Sequence, residues 1–402
     1  MLGLPQDWLR GEFMRRFLLA LPFLMATPAL AAPCGGGFNA FKDKMAAEAS
    51  AKGHSNRAIR AFFGAARQDQ RTLKADRAQG IFRMDFLEFS RRVISQNRMD
   101  HGRKNSGKYD GTFSGIERNL GVPRGVLLAF WALETDYGAV QGDFNTLNSL
   151  MTLSHDCRRP ELFQPQVFAA LELFERGDFA LDTTGAWAGE IGMVQMLPGD
   201  IIEFGRDGDG DGQVSLKSSP PDALWSGGTM LRGMGWRPNE PWLQEITLPS
   251  GGLEWADTGI ERTKSVREWA ALGVKGRSAK LGAGNLQASV ILPMGRNGPA
   301  FLAYPNFNVY FEWNQSYTYV TTAAYFATRL MGAPVYDARN PEAGLSGDQM
   351  KALQKKLAAR GHDVGKIDGI LGSGTRAAVR AEQIRLGLPA DAWPTARLLG
   401  AL

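Results

Sequence analysis

The stretch Val126-Leu127-Leu128-Ala129-Phe130-Trp131-Ala132-Leu133-Glu134 is an apolar run closed by one acid, and its reading decides the fold. Glu134 is the only ionisable residue between Arg124 and Asp136. Pro123 stands where the first turn of a helix tolerates it, and Tyr137-Gly138 reads as the exit, so the stretch predicts a buried helix. On that helix Leu127, Phe130 and Trp131 lie one or two turns back on the side of Glu134. Hydrocarbon and aromatic rings then surround the carboxyl and disfavour its charged form. A carboxylic acid kept protonated near neutral pH can give its proton to a leaving-group oxygen, as cleavage of a glycosidic bond requires. The competing reading is a helix end whose glutamate points into solvent.

Around this helix the chain reads as mainly α with a small β insertion. Residues 38–50, 55–68 and 86–95 carry apolar side chains at three- and four-residue spacing. The period changes between 246 and 311, where Ser289-Val290-Ile291-Leu292 and Ala300-Phe301-Leu302-Ala303-Tyr304 flank Gly295-Arg296-Asn297-Gly298 as a hairpin would. Helix returns over 319–331. Residues 337–344 form a linker, and 345–402 read as an independent module. In it Ser346 caps a helix striped by Met350, Leu353 and Leu357, and a second helix begins near Thr375. So small a unit buries little core, which fits a docking role; a three-helix structural cap fits the periodicity equally well.

The N-terminus orders Arg15-Arg16, an apolar segment and Ala29-Leu30-Ala31-Ala32, so 1–32 reads as a secretory signal, with Met14 as an alternative start. Pro22 and Pro28 interrupt the apolar segment, and no later run is long enough to span a bilayer. The expected location is the periplasm. Pro33 argues against lipid modification of Cys34. In an oxidising compartment Cys34 and Cys157 allow one bridge, against the alternative of two free buried thiols. His54, His101, His155 and His362 lack metal-ligand spacing. The net charge of +5 suits an anionic polymer, but no basic stripe interleaved with aromatics points to nucleic acid.

The tail resembles the peptidoglycan-binding module of cell-wall enzymes. The residues that carry the likeness are Leu353-Gln354, Gly361, Gly365-Lys366-Ile367-Asp368-Gly369-Ile370-Leu371-Gly372, Thr375, Ala378-Val379, Gln383 and Gly387-Leu388. Glu382 departs from the pattern, standing where an aromatic is usual. The large domain, 33–336, is similar to the B-type lytic murein transglycosylases. Phe130-Trp131-Ala132-Leu133-Glu134-Thr135-Asp136-Tyr137-Gly138 matches that family's catalytic-glutamate stretch. Ala188-Gly189-Glu190-Ile191-Gly192-Met193-Val194-Gln195-Met196-Leu197-Pro198 matches a second block. Asn306-Phe307 and Trp313-Asn314-Gln315-Ser316-Tyr317-Thr318-Tyr319 match further ones.

The resemblance implies a lysozyme-like helical catalytic domain followed by a three-helix wall-binding domain. It implies Glu134 as acid and then base, Gln195 and Asn314 on sugar hydroxyls or the acetamido group, and Tyr319 lining the cleft. Trp313, Tyr137, Met196 and Gly189 belong to the same expected substrate-binding set. Ala186 replaces a serine that would orient the glutamate. Glu190 replaces a small residue, either as a surface substitution or as a second carboxylate near the cleft.

Retaining and inverting glycosidases need two carboxylates, and this chain offers one convincing candidate. The expected reaction is therefore cleavage of the β-1,4 bond between N-acetylmuramic acid and N-acetylglucosamine with a 1,6-anhydromuramoyl product. A hydrolytic muramidase and a non-catalytic peptidoglycan-binding scaffold are the alternatives. No cofactor is expected for catalysis. Asp207, Asp209 and Asp211 alternate with glycines as the start of a calcium loop that Asp222 would close, against the alternative of a solvated acidic turn. The expected partners are glycan strands and cell-wall-synthesis proteins, and the protein is expected to act as a monomer.

Overall fold

The apolar run forms the helix Arg124–Thr135, and around it the chain winds its largest core. The structure, a computed structural model, describes residues 33–78 and 84–402; the signal reading of 1–32 lies outside them. From Val126 to Ala132 every side chain of this helix is buried, so it has no solvent face. Pro123 is its N-cap rather than a helical residue, and Asp136 ends it in the left-handed conformation. Its main neighbour is the helix Tyr317–Leu330, buried continuously from Tyr319 to Ala327. Helices Thr146–His155 and Pro160–Arg176 pack on each other beyond it.

The expected hairpin is present as the centre of a five-stranded antiparallel sheet. The strand order is Lys264–Ser265, Gln287–Ile291, Phe301–Ala303, Leu243–Thr247 and Lys275–Gly276. Val290 pairs with Leu302. One side of this sheet has its own core, with Trp269, Val290, Leu302 and Tyr304. Cys34 and Cys157 form a disulfide, which ties the start of the described chain to the segment after Thr146–His155.

The tail forms helices Gly347–Ala359, Ser373–Arg385 and Ala396–Ala401 around Leu353, Leu357, Val379 and Leu398. It is docked, not tethered: Trp393 is buried in the core of the large domain, and the described residues form one compact unit. The Trp393 indole donates to the Glu342 carbonyl at 2.9 Å. The hairpin turn adds Arg296, which pairs with buried Asp391 at 3.2 Å. Glu382, in the position usually aromatic, is buried and satisfied by His362 at 2.9 Å and Arg385 at 2.8 Å.

Candidate active site

Glu134 sits on the last turn of its helix, where the backbone passes through two consecutive left-handed residues, Asp136 and Tyr137, at φ 51° and 61°. Such conformations cost energy in non-glycine residues and persist only where surrounding bonds hold them. Those bonds are specific. Arg98 donates to Asp136 at 2.9 Å, the Tyr137 hydroxyl donates to the Arg98 carbonyl at 2.8 Å, and the Gly138 amide donates to Thr135 Oγ1. Thr135 in turn donates to the Met193 carbonyl at 2.7 Å, which fastens the glutamate's helix to the 187–196 loop.

Glu134 is half-buried, and one oxygen receives two donors. Tyr319 Oη donates to Oε1 at 2.5 Å and Trp313 Nε1 donates to the same atom at 3.1 Å. The Trp313 ring stacks on Phe130, one turn back from Glu134, with centroids 4.2 Å apart. Burial pushes the Glu134 carboxyl above the usual carboxylate range; the two donors pull it partly back, and the charge of Glu190 adds to the rise. Burial, reinforced by Glu134, holds the Tyr319 phenol well above its ordinary value, so it remains a donor. Among the described residues Glu134 forms no ion pair.

Glu190 is not a surface substitution. It is half-buried, its Oε2 is buried without a hydrogen-bond partner among the described residues, and burial raises its carboxyl too. Backbone amides of Glu190 and Ala188 and the charge of Arg159 oppose that rise. Ala186 offers no hydroxyl, and Tyr319 and Trp313 supply the orientation of Glu134 that a serine would give.

The 187–196 loop is shaped by close approach. A Cβ at Gly189 would run into Leu150, and one at Gly192 into Leu216; both glycines have positive φ, 94° and 80°. Gln195, also left-handed at φ 54°, donates from Nε2 to the Gly192 carbonyl at 2.8 Å, leaving its side-chain carbonyl as an acceptor. Asn314 accepts the Ser316 amide at 2.9 Å and so shapes the turn between Trp313 and Tyr319. Two members of the expected substrate-binding set point elsewhere. Met196 is fully buried, and the Tyr137 hydroxyl is occupied by the Arg98 backbone. Sequence reasoning did not find Thr135 as the tie to the loop, nor the direct contact of Trp313 and Tyr319 with Glu134; the shared aromatic-rich block was its only signal.

In the acidic loop, ligand oxygens of Asp207, Asp209 and Asp211 lie within 4.8 Å of one another. Backbone amides of Gly210 and Gly212 donate to Asp207, at 2.6 and 2.8 Å, and hold its carboxyl below its ordinary range. Asp222 stands apart: it is buried, and its two oxygens accept the Gly208 and Ser215 amides at 2.8 and 2.7 Å. No described helix is long and apolar enough to cross a membrane.

Residues 37–328 match the family described as Transglycosylase SLT domain, and 346–402 match the Putative peptidoglycan binding domain. Crystal structures of SltB3 from Pseudomonas aeruginosa, in complex with NAG-anhNAM-pentapeptide and with NAG-NAM-pentapeptide, are 32% identical to this chain. The first covers 91% of this chain and 99% of its own, with a TM-score of 0.83. Membrane-bound lytic murein transglycosylase B of Escherichia coli (strain K12) is 26% identical over 237 residues. That match spans 58% of this chain and 64% of the relative, just under two thirds of its length. The Escherichia coli lytic transglycosylase SLT35, solved in complex with calcium, shares the fold at 22% identity. It has a TM-score of 0.62 over 75% of this chain and 96% of its own. The chain belongs to the SLT-domain family of lytic transglycosylases, enzymes acting on peptidoglycan, and carries a peptidoglycan-binding domain at its C-terminal end.

Proposed function

We propose that the protein is a lytic murein transglycosylase that cleaves the β-1,4 bond between N-acetylmuramic acid and N-acetylglucosamine, with Glu134 as its single acid and base. One observation carries this reading: a carboxyl raised by burial and held at one oxygen by two uncharged donors, Tyr319 and Trp313. Such a group is a proton donor near neutral pH, and its conjugate base is still stabilised once formed. Protonated Glu134 gives its proton to the glycosidic oxygen as the bond from C1 breaks. The substrate's acetamido carbonyl supports the developing cation at C1. The Glu134 carboxylate then takes the proton of the same sugar's C6 hydroxyl, whose oxygen bonds to C1 and closes the 1,6-anhydro ring. The glutamate ends protonated, and no water is consumed. Glu190 is raised by burial too, which weakens it as a nucleophile or base for a hydrolytic route.

Gln195, whose side-chain carbonyl has no partner among the described residues, and Trp313 are the residues assigned to substrate, with Asn314 shaping the turn beside them. The proposed division is 33–336 for catalysis, 337–344 as connector and 345–402 for wall binding. Export to the periplasm belongs to the same reading, since a disulfide at Cys34 needs an oxidising compartment and leaves no thiol there for a lipid. Asp207, Asp209 and Asp211 would hold a calcium ion, a hard cation suited to an all-oxygen donor set, as a structural brace for the loop. A calcium titration that leaves the melting temperature unchanged would remove that brace from the account.

The test of function is the mass of the fragments released from purified sacculi. Anhydro products are expected, lighter by one water than the products of hydrolysis. Glu134→Gln is expected to abolish release while wall binding persists. Fragments carrying the extra water, or an active Gln variant, would overturn the reading.

A further inference from the structure

We propose that Arg376 of the C-terminal module is a positioning residue for the reaction, because it clamps the 313–319 strap that holds Glu134. The proposal rests on the assignment of Glu134 as the acid. The strap is where both donors originate: Trp313 ends the helix Pro305–Trp313, and Tyr319 lies in the first turn of Tyr317–Leu330. Between them the chain is extended at Asn314, and within the strap the backbone is held only locally. Asn314 accepts from the Ser316 amide, and Ser316 Oγ accepts from the Tyr319 amide. Packing of the helix Tyr317–Leu330 on the Glu134 helix and of Trp313 on Phe130 sets the general place of the two donors, and contacts on the strap between them set their exact aim.

Arg376 supplies such a contact. Its guanidinium lies 4.4 Å from the ring centroid of Tyr317, which is buried, and 5.8 Å from that of Trp393. Its Nη2 donates to the Pro293 carbonyl at 2.8 Å, just before the hairpin turn. One side chain thus joins the module's helix, the sheet's hairpin and the strap. Residues two apart on a helix project to nearly opposite sides, so Tyr317 faces Arg376 while Tyr319 faces Glu134. The first turn of this helix is held between the module and the catalytic carboxyl.

The choice of residue is informative. Arg376 Nε is buried with no hydrogen-bond partner among the described residues, and burial opposes its charge, against the support of Tyr317, Asp391 and the Pro293 carbonyl. A half-buried guanidinium with an unpaired Nε is a costly filler for a domain interface, and an aromatic face returns part of that cost only in one orientation. The module's other arginine contact, Arg380 with Glu261, reaches the large domain without touching the strap. It therefore serves as the control for docking alone.

The experiment uses the full mature chain and a short soluble glycan, with kcat, KM and the pH profile as readouts. Arg376→Ala is expected to lower kcat about 5- to 10-fold with KM within about twofold, no more than the loss expected on removing the Tyr319 hydroxyl itself. The alkaline limb is expected to move upward, because a loosened Tyr319 no longer favours the carboxylate. In a Tyr319→Phe background, Arg376→Ala should cost less than about threefold more, since both act through one contact. Arg376→Lys should restore part of kcat, and Arg380→Ala should leave it within about twofold. If Arg376→Ala does not fold, Tyr317→Leu tests the same contact from the other side with the same expectations. Wild-type kcat and pH profile in Arg376→Ala, full additivity with Tyr319→Phe, or an equal loss in Arg380→Ala would each overturn the proposal. Glu134→Gln is assayed in parallel. If it is active, the acid assignment falls; if it is dead while Arg376→Ala behaves as wild type, only the positioning role falls.

Discussion

Replacing Tyr319 by Phe removes one atom, the oxygen 2.5 Å from Glu134 Oε1, from a ring that is otherwise buried and keeps its packing. In the ground state that hydrogen bond reaches a neutral acid. As the proton leaves, negative charge grows on the carboxyl and the same bond becomes charge-assisted, so it stabilises the transition state more than the bound substrate. A hydrogen bond to a charged group contributes about 1.5–3 kcal/mol, equivalent to roughly 10- to 150-fold in rate. Trp313 still donates to the same oxygen, which places the expected loss of kcat toward the lower end of that range. KM is expected to change little, because the hydroxyl is spent on the enzyme's own carboxyl. Tyr319 favours the charged form of Glu134, so its loss raises the carboxyl further. The protonated acid then survives to higher pH, and the alkaline limb of kcat/KM moves upward. Initial rates on a soluble glycan across the pH range read both effects. A raised KM with unchanged kcat would mean that Tyr319 contacts sugar instead, and a limb that moves downward would refute the sign of the argument.

Two further outcomes follow from the same structure. Glu134 titrates higher in the fold than in the unfolded chain, so its ionisation weakens the fold as pH rises through that interval. Glu134→Gln is therefore expected to melt higher than the wild type at neutral and alkaline pH. The gap should close below the ordinary carboxylate range, where both states are protonated; a constant gap across pH in calorimetry would contradict it. The Cys34–Cys157 bridge closes a separation of 123 residues. Cys34→Ser is expected to cost roughly 3–5 kcal/mol, seen as a lower denaturation midpoint that reductant no longer changes. An unaltered midpoint would show that the unfolded chain is not held by this link.

What could be read in advance was local. The Glu134 helix announced itself because an unbroken apolar run has no amphipathic alternative, and the hairpin because two short apolar segments flank a glycine-bounded turn. Two further strands of the sheet were invisible for a physical reason: Lys264–Ser265 and Lys275–Gly276 are two residues each, too short for any alternation to register. The contacts on the carboxyl span 179 and 185 residues and obey no period at all. Tyr137 and Met196 illustrate the converse. Proximity to a motif placed them with substrate, whereas a left-handed helix exit turned Tyr137 onto the Arg98 backbone and the Ile191–Met196 bridge turned Met196 inward. Arg296, Arg376 and Arg380 carry no periodic signal in the sequence, and the fold shows them joining the module to the large domain.

The identity of the two donors bears on why one carboxyl can serve twice. A lysine or arginine in their place would favour the carboxylate strongly, and the group would reach neutral pH already ionised, a base with no proton to give. Apolar packing alone would leave the proton in place but offer nothing to the anion formed when it departs. Tyr319 and Trp313 lie between these extremes: each presents a neutral, directed donor to Oε1, on walls dry enough for burial to dominate the titration. Both steps assigned to Glu134, giving a proton to O4 and receiving one from O6, depend on that balance. The half-buried Glu190 tips it further toward the acid, since its charge adds to the cost of ionising Glu134. A site arranged in this way needs no second carboxylate in the attack, because the group that would activate water is kept occupied with the substrate's own hydroxyl.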